Sequence, residues 1–358
     1  MPVQTTKNEK RPAREEGAAS ETVERTVVGW QGIRFTLPPD WNVTSFSMDR
    51  DSGYLKVDSP GSGTMSAQVR WSNAAKQEQT APTLYYFLAP YFRRLLRRPA
   101  PALPKSDLKG NLERILKETG KQAKKSKAPF ESSLKPEKVE GENGERTAIN
   151  FTWSGGGRGQ GKIWQCAVCN RIVVAQVVGL PKDLNAIGVI ASQLFASMHD
   201  HAMEGYDLWA LYDLVAEVPE TFRLEAQKLL SGHLSLTFGR GAEKIVIQRW
   251  GLANMALKKF TLEEWFRKEA MVNVKRLARR EIETAHGHRA LVFEGALPLT
   301  SRIGVLRDAR NSLRRFPTRY AGGIWECPET NKLFLIQALT NRRSEGLWAE
   351  VEPRCVCH

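Results

Sequence analysis

Two stretches decide how this chain is read: residues 161–176, GKIWQCAVCNRIVVAQ, and residues 322–337, GGIWECPETNKLFLIQ. Laid together without a gap at an offset of 161, they match Trp164 with Trp325, Cys166 with Cys327, Asn170 with Asn331, Arg171 with Lys332 and Gln176 with Gln337. Each stretch holds two runs of β-branched and aromatic residues about a short polar centre, the pattern of two strands joined by a tight turn. Pro328 and Asn331 supply turn chemistry in the second. A block of this length repeated in register indicates that the chain is written twice.

Earlier residues extend the repeat in the same order. Ile33, Phe35 and Leu37 lead into Pro38, Pro39, Asp40 and Trp41, and Leu214, Ala216 and Val218 lead into Pro219, Glu220, Thr221 and Phe222. Gly53-Tyr-Leu-Lys-Val57 answers Gly232-His-Leu-Ser-Leu236, and Arg70-Trp71 answers Arg249-Trp250. A helix is expected to follow each, TLYYFLAPYFRRLLRR from Thr83 and TLEEWFRKEAMVNVKRLARR from Thr261. The expected order in each copy is three strands, a helix, three strands and a helix. The last helices are placed at 182–198 and 345–352, the first with Leu184, Ile187, Ile190, Ala191, Leu194 and Phe195 on one face. Sequential strands with short turns predict antiparallel sheets covered by helices, an α+β layered sandwich in two tandem copies forming a pseudo-symmetric pair. The divisions are a disordered tail over 1–26, a first copy over 27–203 with a basic insertion at 99–143, and a second over 204–358 with an Arg-rich insertion at 300–319. The paired tryptophans are expected in the core.

The opening GIRFTLPPDWNV, a strand running into Pro-Pro-Asp-Trp, resembles the start of the PsbP-like αβα sandwich family. In the second copy Phe222 stands where that Trp is expected. The resemblance implies a binding module rather than an enzyme and carries over no functional residue.

The whole chain has 358 residues and a net charge of +14, from 53 Lys+Arg against 39 Asp+Glu. Its 41% hydrophobic content is that of a folded protein. No apolar run approaches the ~18–20 residues of a membrane span, and residues 1–26 contain no apolar secretory core. A cytoplasmic location is therefore expected. The charge is concentrated: residues 93–140 carry +8 and residues 302–319 carry +5. The first insertion begins with the stiff PAPALP, offers a helix from Asp107 to Lys125 and ends in a polar stretch. Basic segments of this kind engage an acidic protein partner or, without reading sequence, the phosphates of a nucleic acid. The candidate contacts are Arg93, Arg94, Lys124, Lys125, Arg314 and Arg315.

Gly156 to Lys162 imitates a phosphate-binding loop, but Ile163 replaces the needed Ser or Thr and a strand follows where a helix is required. His199-Asp-His201 and His286-Gly-His288 are read as surface pairs. The cysteines are the sharpest feature. Cys166-Ala-Val-Cys169 lies at a turn between strands, the setting of a zinc knuckle, and the chain closes on Cys355-Val-Cys357-His358. One candidate site combines Cys166 and Cys169 with Cys355, Cys357 or His358 across the two copies. Another is local, with Cys327 beside Cys355, Cys357 and His358. Two alternatives stand beside structural zinc: Cys166 and Cys327 as buried small apolar residues, and a disulfide from Cys327 to Cys355 or Cys357. The expected function is a non-catalytic binding or scaffold protein holding an acidic partner. A nucleic-acid-associated protein and a zinc-dependent enzyme are the alternatives.

Overall fold

Alternation of buried and exposed side chains builds strands through most of the chain. The structure, a computed structural model, describes residues 25–49, 52–61, 64–74, 106–125, 127–141, 144–297, 317–341 and 346–358. The first 24 residues, the helix expected from Thr83, and Arg93, Arg94, Arg314 and Arg315 lie outside the described residues. In the first half, β1 (Thr26–Trp30), β2 (Ile33–Leu37), β3 (Asn42–Met48), β4 (Ser52–Asp58) and β5 (Ser66–Asn73) precede α1 (Leu108–Lys125). They are followed by β6 (Glu131–Gly141), β7 (Gly144–Ser154), β8 (Arg158–Gln165), β9 (Arg171–Gly179) and α2 (Leu184–Ser197). The second half runs β10 (Tyr206–Leu211), β11 (Leu214–Pro219), β12 (Arg223–Leu230), β13 (His233–Arg240) and β14 (Glu243–Gly251). It continues through α3 (Ala253–Ala256), α4 (Leu262–Glu269), β15 (Ala278–Glu283), β16 (Arg289–Ala296), β17 (Arg319–Cys327), β18 (Lys332–Thr340), α5 (Leu347–Val351) and β19 (Cys355–Val356).

The fold is α+β, with three antiparallel sheets. Two are seven-stranded, β3-β4-β5-β9-β8-β7-β6 and β12-β13-β14-β18-β17-β16-β15, with the same order of strands in each half. The third, β19-β11-β10-β1-β2, draws strands from both halves. It joins them where Gly29 of β1 faces Ala210 of β10. One continuous core includes the inner faces of both large sheets, the five-stranded sheet and α2, with Trp30, Phe35, Val69, Val173, Trp209, Phe238, Ile247 and Ile336 among its members. The outer faces carry separate cores. Leu108, Leu112 and Leu116 of α1 pack on Phe151, Ile163 and Val174. Phe266 of α4 stacks on Phe293, centroids 4.5 Å apart. The two turns after β8 and β17 form as expected, with Asn170 and Asn331 in the left-handed region at φ 59° and 53°, which Asn tolerates better than most residues. No helix among the described residues is long and apolar enough to cross a membrane.

Several expectations are corrected. Within segment 99–143 the helix expected from Asp107 to Lys125 forms as α1, but the polar stretch after it is not a loop: it is the edge strand β6, paired along its whole length with β7. Five strands precede and four follow α1. The helix from Thr261 begins as expected on a Thr261–Glu264 capping box but ends at Glu269. There the buried Gln337 side chain accepts from Met271 N (2.8 Å) and donates to the Glu269 carbonyl (3.2 Å), so the chain leaves the helix and returns as β15. The tryptophans are buried, but Trp71 and Trp250 are not equivalent. Trp71 sits opposite Val173, and the residue opposite the equivalent Phe334 is Arg249. A one-residue slip moves a side chain to the other sheet face, so Trp71 faces the central core and Trp250 the outer one.

A side chain at Gly29 would press its Cβ to 2.6 Å from the Leu208 carbonyl oxygen on the seam strand β10. Gly29→Val is expected to lower the stability of the whole chain by about 1–3 kcal/mol. Urea unfolding checks this. If the seam couples the halves, the variant also broadens the transition or splits it in two.

Candidate functional site

The segment Cys355–His358 is held in place by the pairing of β19 with β11, Ala216 opposite Cys355 and Val215 opposite Val356. This brings Cys357 and His358 to Cys327, the last residue of β17. His288, the residue before β16, joins them. Its backbone is fixed by bonds to Thr284, from Thr284 N to the His288 carbonyl (2.8 Å) and from His288 N to Thr284 Oγ1 (3.0 Å). One ligand atom from each of His288, Cys327, Cys357 and His358 lies within 4.8 Å of the others. His358 Nδ1 is 3.3 Å from His288 Nε2, 3.6 Å from Cys327 Sγ and 3.4 Å from Cys357 Sγ. Cys327, Cys357 and His288 are buried and His358 is exposed. Thr330 Oγ1 donates to Cys327 Sγ at 3.1 Å. Glu329 Oε2 lies 3.4 Å from Cys327 Sγ and 3.7 Å from His288 Nε2. Burial, then the neighbouring Cys327, pushes the Cys357 thiol up to about 12.

The first half carries a counterpart. Behind α2, His199 bridges to Arg34 of β2 as Val356 does to Val215 of β11. Cys166 Sγ then faces His201 Nδ1 at 3.5 Å, and His201 Nδ1 meets Asp200 Oδ1 at 2.8 Å. Trp164 Nε1 donates to the other Asp200 oxygen. Burial opposes a charge on His201, but Asp200 and Cys166 outweigh it and raise its pKa. The Cys169 thiol is lowered to about 7, first by its hydrogen bond with Cys166, with Arg171 assisting, while Cys166 is pushed up.

These positions select among the sequence-based sites. Cys166 and Cys169 do not join Cys355, Cys357 or His358. The two cysteine turns stand against opposite ends of the five-stranded sheet, and strands spaced about 4.8 Å apart put those ends about 20–25 Å from one another. The local grouping stands without Cys355, which is buried in the central core. All five thiols are free, so no disulfide links Cys327 to Cys355 or Cys357. His288 and His201, read from sequence as surface residues, are each drawn into a cysteine cluster. His288 meets His358, 70 residues away, and His201 meets Cys166, 35 residues away, and no local pattern signals such contacts. The spacing shared by the two HxH pairs was the available hint.

A cleft of about 550 Å³ opens between the halves, lined by Gln31, Trp71, Cys169 and Arg171 from the first and by Asp207 and Phe222 from the second. Gln31 Oε1 and Trp209 Nε1 are buried there without hydrogen-bond partners. Burial raises the Asp207 carboxyl from 3.8 to about 6, against the pull of Arg171. Of the basic candidates, Lys124 is exposed on α1, whose last residue is Lys125.

No family model matches the chain, and no curated protein resembles it. Among solved structures it is similar to the solution structure of cyanobacterial PsbP (CyanoP) from Synechocystis sp. PCC 6803. The identity is 8% and the TM-score 0.31, over 52% of this chain and 99% of that one.

Asp207 yields a pH prediction. The folded carboxyl holds its proton up to about pH 6, whereas the unfolded one releases it near 3.8. Folding takes up a proton between those values, so this group lowers stability as pH rises through them and its full penalty stands above about pH 6. Each tenfold change in proton affinity is worth about 1.4 kcal/mol. Asp207→Asn is therefore expected to stabilise the protein at pH 8 by roughly 2–3 kcal/mol, and to confer no gain at pH 3.5. Denaturation at the two pH values measures the difference.

Proposed function

We propose that this chain is a binding protein built from two copies of one αβ sandwich domain, holding an acidic protein partner against a basic surface on the first copy. The two seven-stranded sheets of identical strand order support the duplication, as does the gap-free repeat at 161 residues. The observation that carries the binding role is the outward face of α1. Its Leu108, Leu112, Leu116 and Ala123 are buried, while Lys109, Arg114, Lys117, Lys121 and Lys124 are exposed against only Glu113 and Glu118. A helix fixed by its apolar side displays these cations in one arrangement, which limits the ordering cost of binding. Lys109–Glu113 and Lys121–Glu118 are exposed pairs at 3.9 and 2.7 Å, and pairs of that kind contribute little and release easily. The sequence ahead of α1 also holds Arg93, Arg94, Arg97 and Arg98, which lie outside the described residues.

The test is a salt titration of the full chain against poly-glutamate and, in parallel, duplex DNA. Poly-glutamate binding should weaken with salt. Changing Lys109, Lys117, Lys121 and Lys124 together to Gln should cost about tenfold in affinity at low salt. No binding, or binding unchanged in that variant, rejects the reading. Tighter binding to DNA, with a log–log salt slope of about −0.9 per phosphate contacted, transfers the same face to nucleic acid.

A further inference from the structure

We propose that His288, Cys327, Cys357 and His358 form a closed tetrahedral zinc site that staples the second copy. The distances carry this. With Zn–S about 2.3 Å and Zn–N about 2.0–2.1 Å, a tetrahedron has edges of about 3.3 Å between nitrogens and about 3.5–3.6 Å between nitrogen and sulfur. The observed values are 3.3 Å for His288 Nε2 to His358 Nδ1, and 3.6 and 3.4 Å from His358 Nδ1 to the two sulfurs. Hydrogen bonding does not account for all three contacts. One imidazole nitrogen offers a single proton or a single lone pair, and here it faces a nitrogen and two sulfurs at once. Four atoms converging on one point are the requirement of a cation.

The ligand chemistry selects the ion. Two thiolates and two imidazoles suit zinc, and four protein ligands leave no position for water or substrate, so the site is structural rather than catalytic. Each cysteine gives up its proton on binding, and both histidines bind neutral. The Thr330 hydroxyl at 3.1 Å from Cys327 Sγ is placed to donate to a thiolate, the kind of outer contact that orients a ligand. Glu329, 3.4 Å from Cys327 Sγ, stands at the margin as an added negative charge.

The site also answers a structural need. The first copy closes its inner face with the 14-residue α2, whereas the second has the five-residue α5. The four ligands come from three separate segments: the β15–β16 hairpin, the end of β17 and the residues after β19. One ion ties all three.

The experiment uses the full chain, stripped of metal by a chelator and titrated with cobalt(II). One equivalent should give the visible bands of tetrahedral cobalt together with sulfur-to-cobalt charge transfer, and zinc should bleach both. Alkylation of the zinc-loaded protein, with the modified thiols mapped, should spare Cys327 and Cys357 and mark Cys169. This arm needs no variant and holds even if a ligand variant fails to fold. His288→Ala and Cys357→Ala should each weaken cobalt binding at least tenfold, and Cys355→Ser and Cys169→Ser should leave the spectrum intact. Substoichiometric metal, an octahedral spectrum, labelling of Cys327 and Cys357 in the zinc-loaded protein, or a spectrum lost only in Cys169→Ser would overturn the assignment.

Discussion

The edge-to-face contact of Trp30 with Trp209, ring centroids 5.0 Å apart, lies on the seam where β1 of the first half meets β10 of the second. Phe46 extends the stack on one side at 5.2 Å and Phe238 on the other at 4.9 Å, so a row of rings runs from one large sheet to the other. Edge-to-face geometry is the favoured arrangement for such rings. A two-stranded hairpin alone is marginal in water. Neither β1–β2 nor β10–β11 has an independent reason to stay ordered, and pairing them gives both a continuous sheet and one shared core. The halves are therefore one structural body, and the cleft, the termini of the strands and the two cysteine clusters all take their positions from this seam.

The same sheet explains why the clusters face apart. Its two outer positions are filled by the bridge at His199 and by β19. Each brings a histidine to the cysteine that follows the shared Trp: His201 to Cys166 and His358 to Cys327. From equal scaffolds the chemistry diverges. Where the second half has Cys357, the first has Asp200, which accepts from Trp164 and meets His201. That chain of hydrogen bonds satisfies its own members. Substituting a thiol for the carboxylate and adding His288 converts a self-satisfied triad into four converging donors.

How much of this the sequence displayed depends on how local the signal is. The turns at 166–170 and 327–331 were legible because Asn170 and Asn331 are chosen for backbone conformation, and the helix start at Thr261 because its cap is contained in four residues. The edge strands were not legible. β15, ARREIE, is mostly exposed and held by cross-strand charge pairs such as Arg280 with Glu294, so it lacks the apolar alternation that marks a strand and reads as continued helix. Charge on an edge strand also guards against unwanted pairing, which is a reason for strand residues to look unlike strands. The end of α4 depends on Gln337, 68 residues away from the Glu269 carbonyl it binds, and no window of sequence contains that information.

Trp71 and Arg249 occupy equivalent inward positions in two halves that share one strand order. Both positions face inward, Trp71 beside the cleft and Arg249 at the mirrored place in the second half. A buried guanidinium requires a counter-charge. Asp213 supplies it, bonded to Arg249 and, at 2.8 Å, to Lys332. The hairpin position of Asp213 corresponds to Gly32 in the first half, where Arg171 donates instead to the Gln31 carbonyl. The tryptophan needs no such partner, so the first cleft keeps unpaired polar atoms and the half-buried Cys169, while the mirrored cleft of about 470 Å³ is lined by the Asp213–Arg249 ion pair. A change at one inward position thus gives two similarly placed clefts different linings, one with unpaired polar atoms beside Trp71 and one with an ion pair at Arg249.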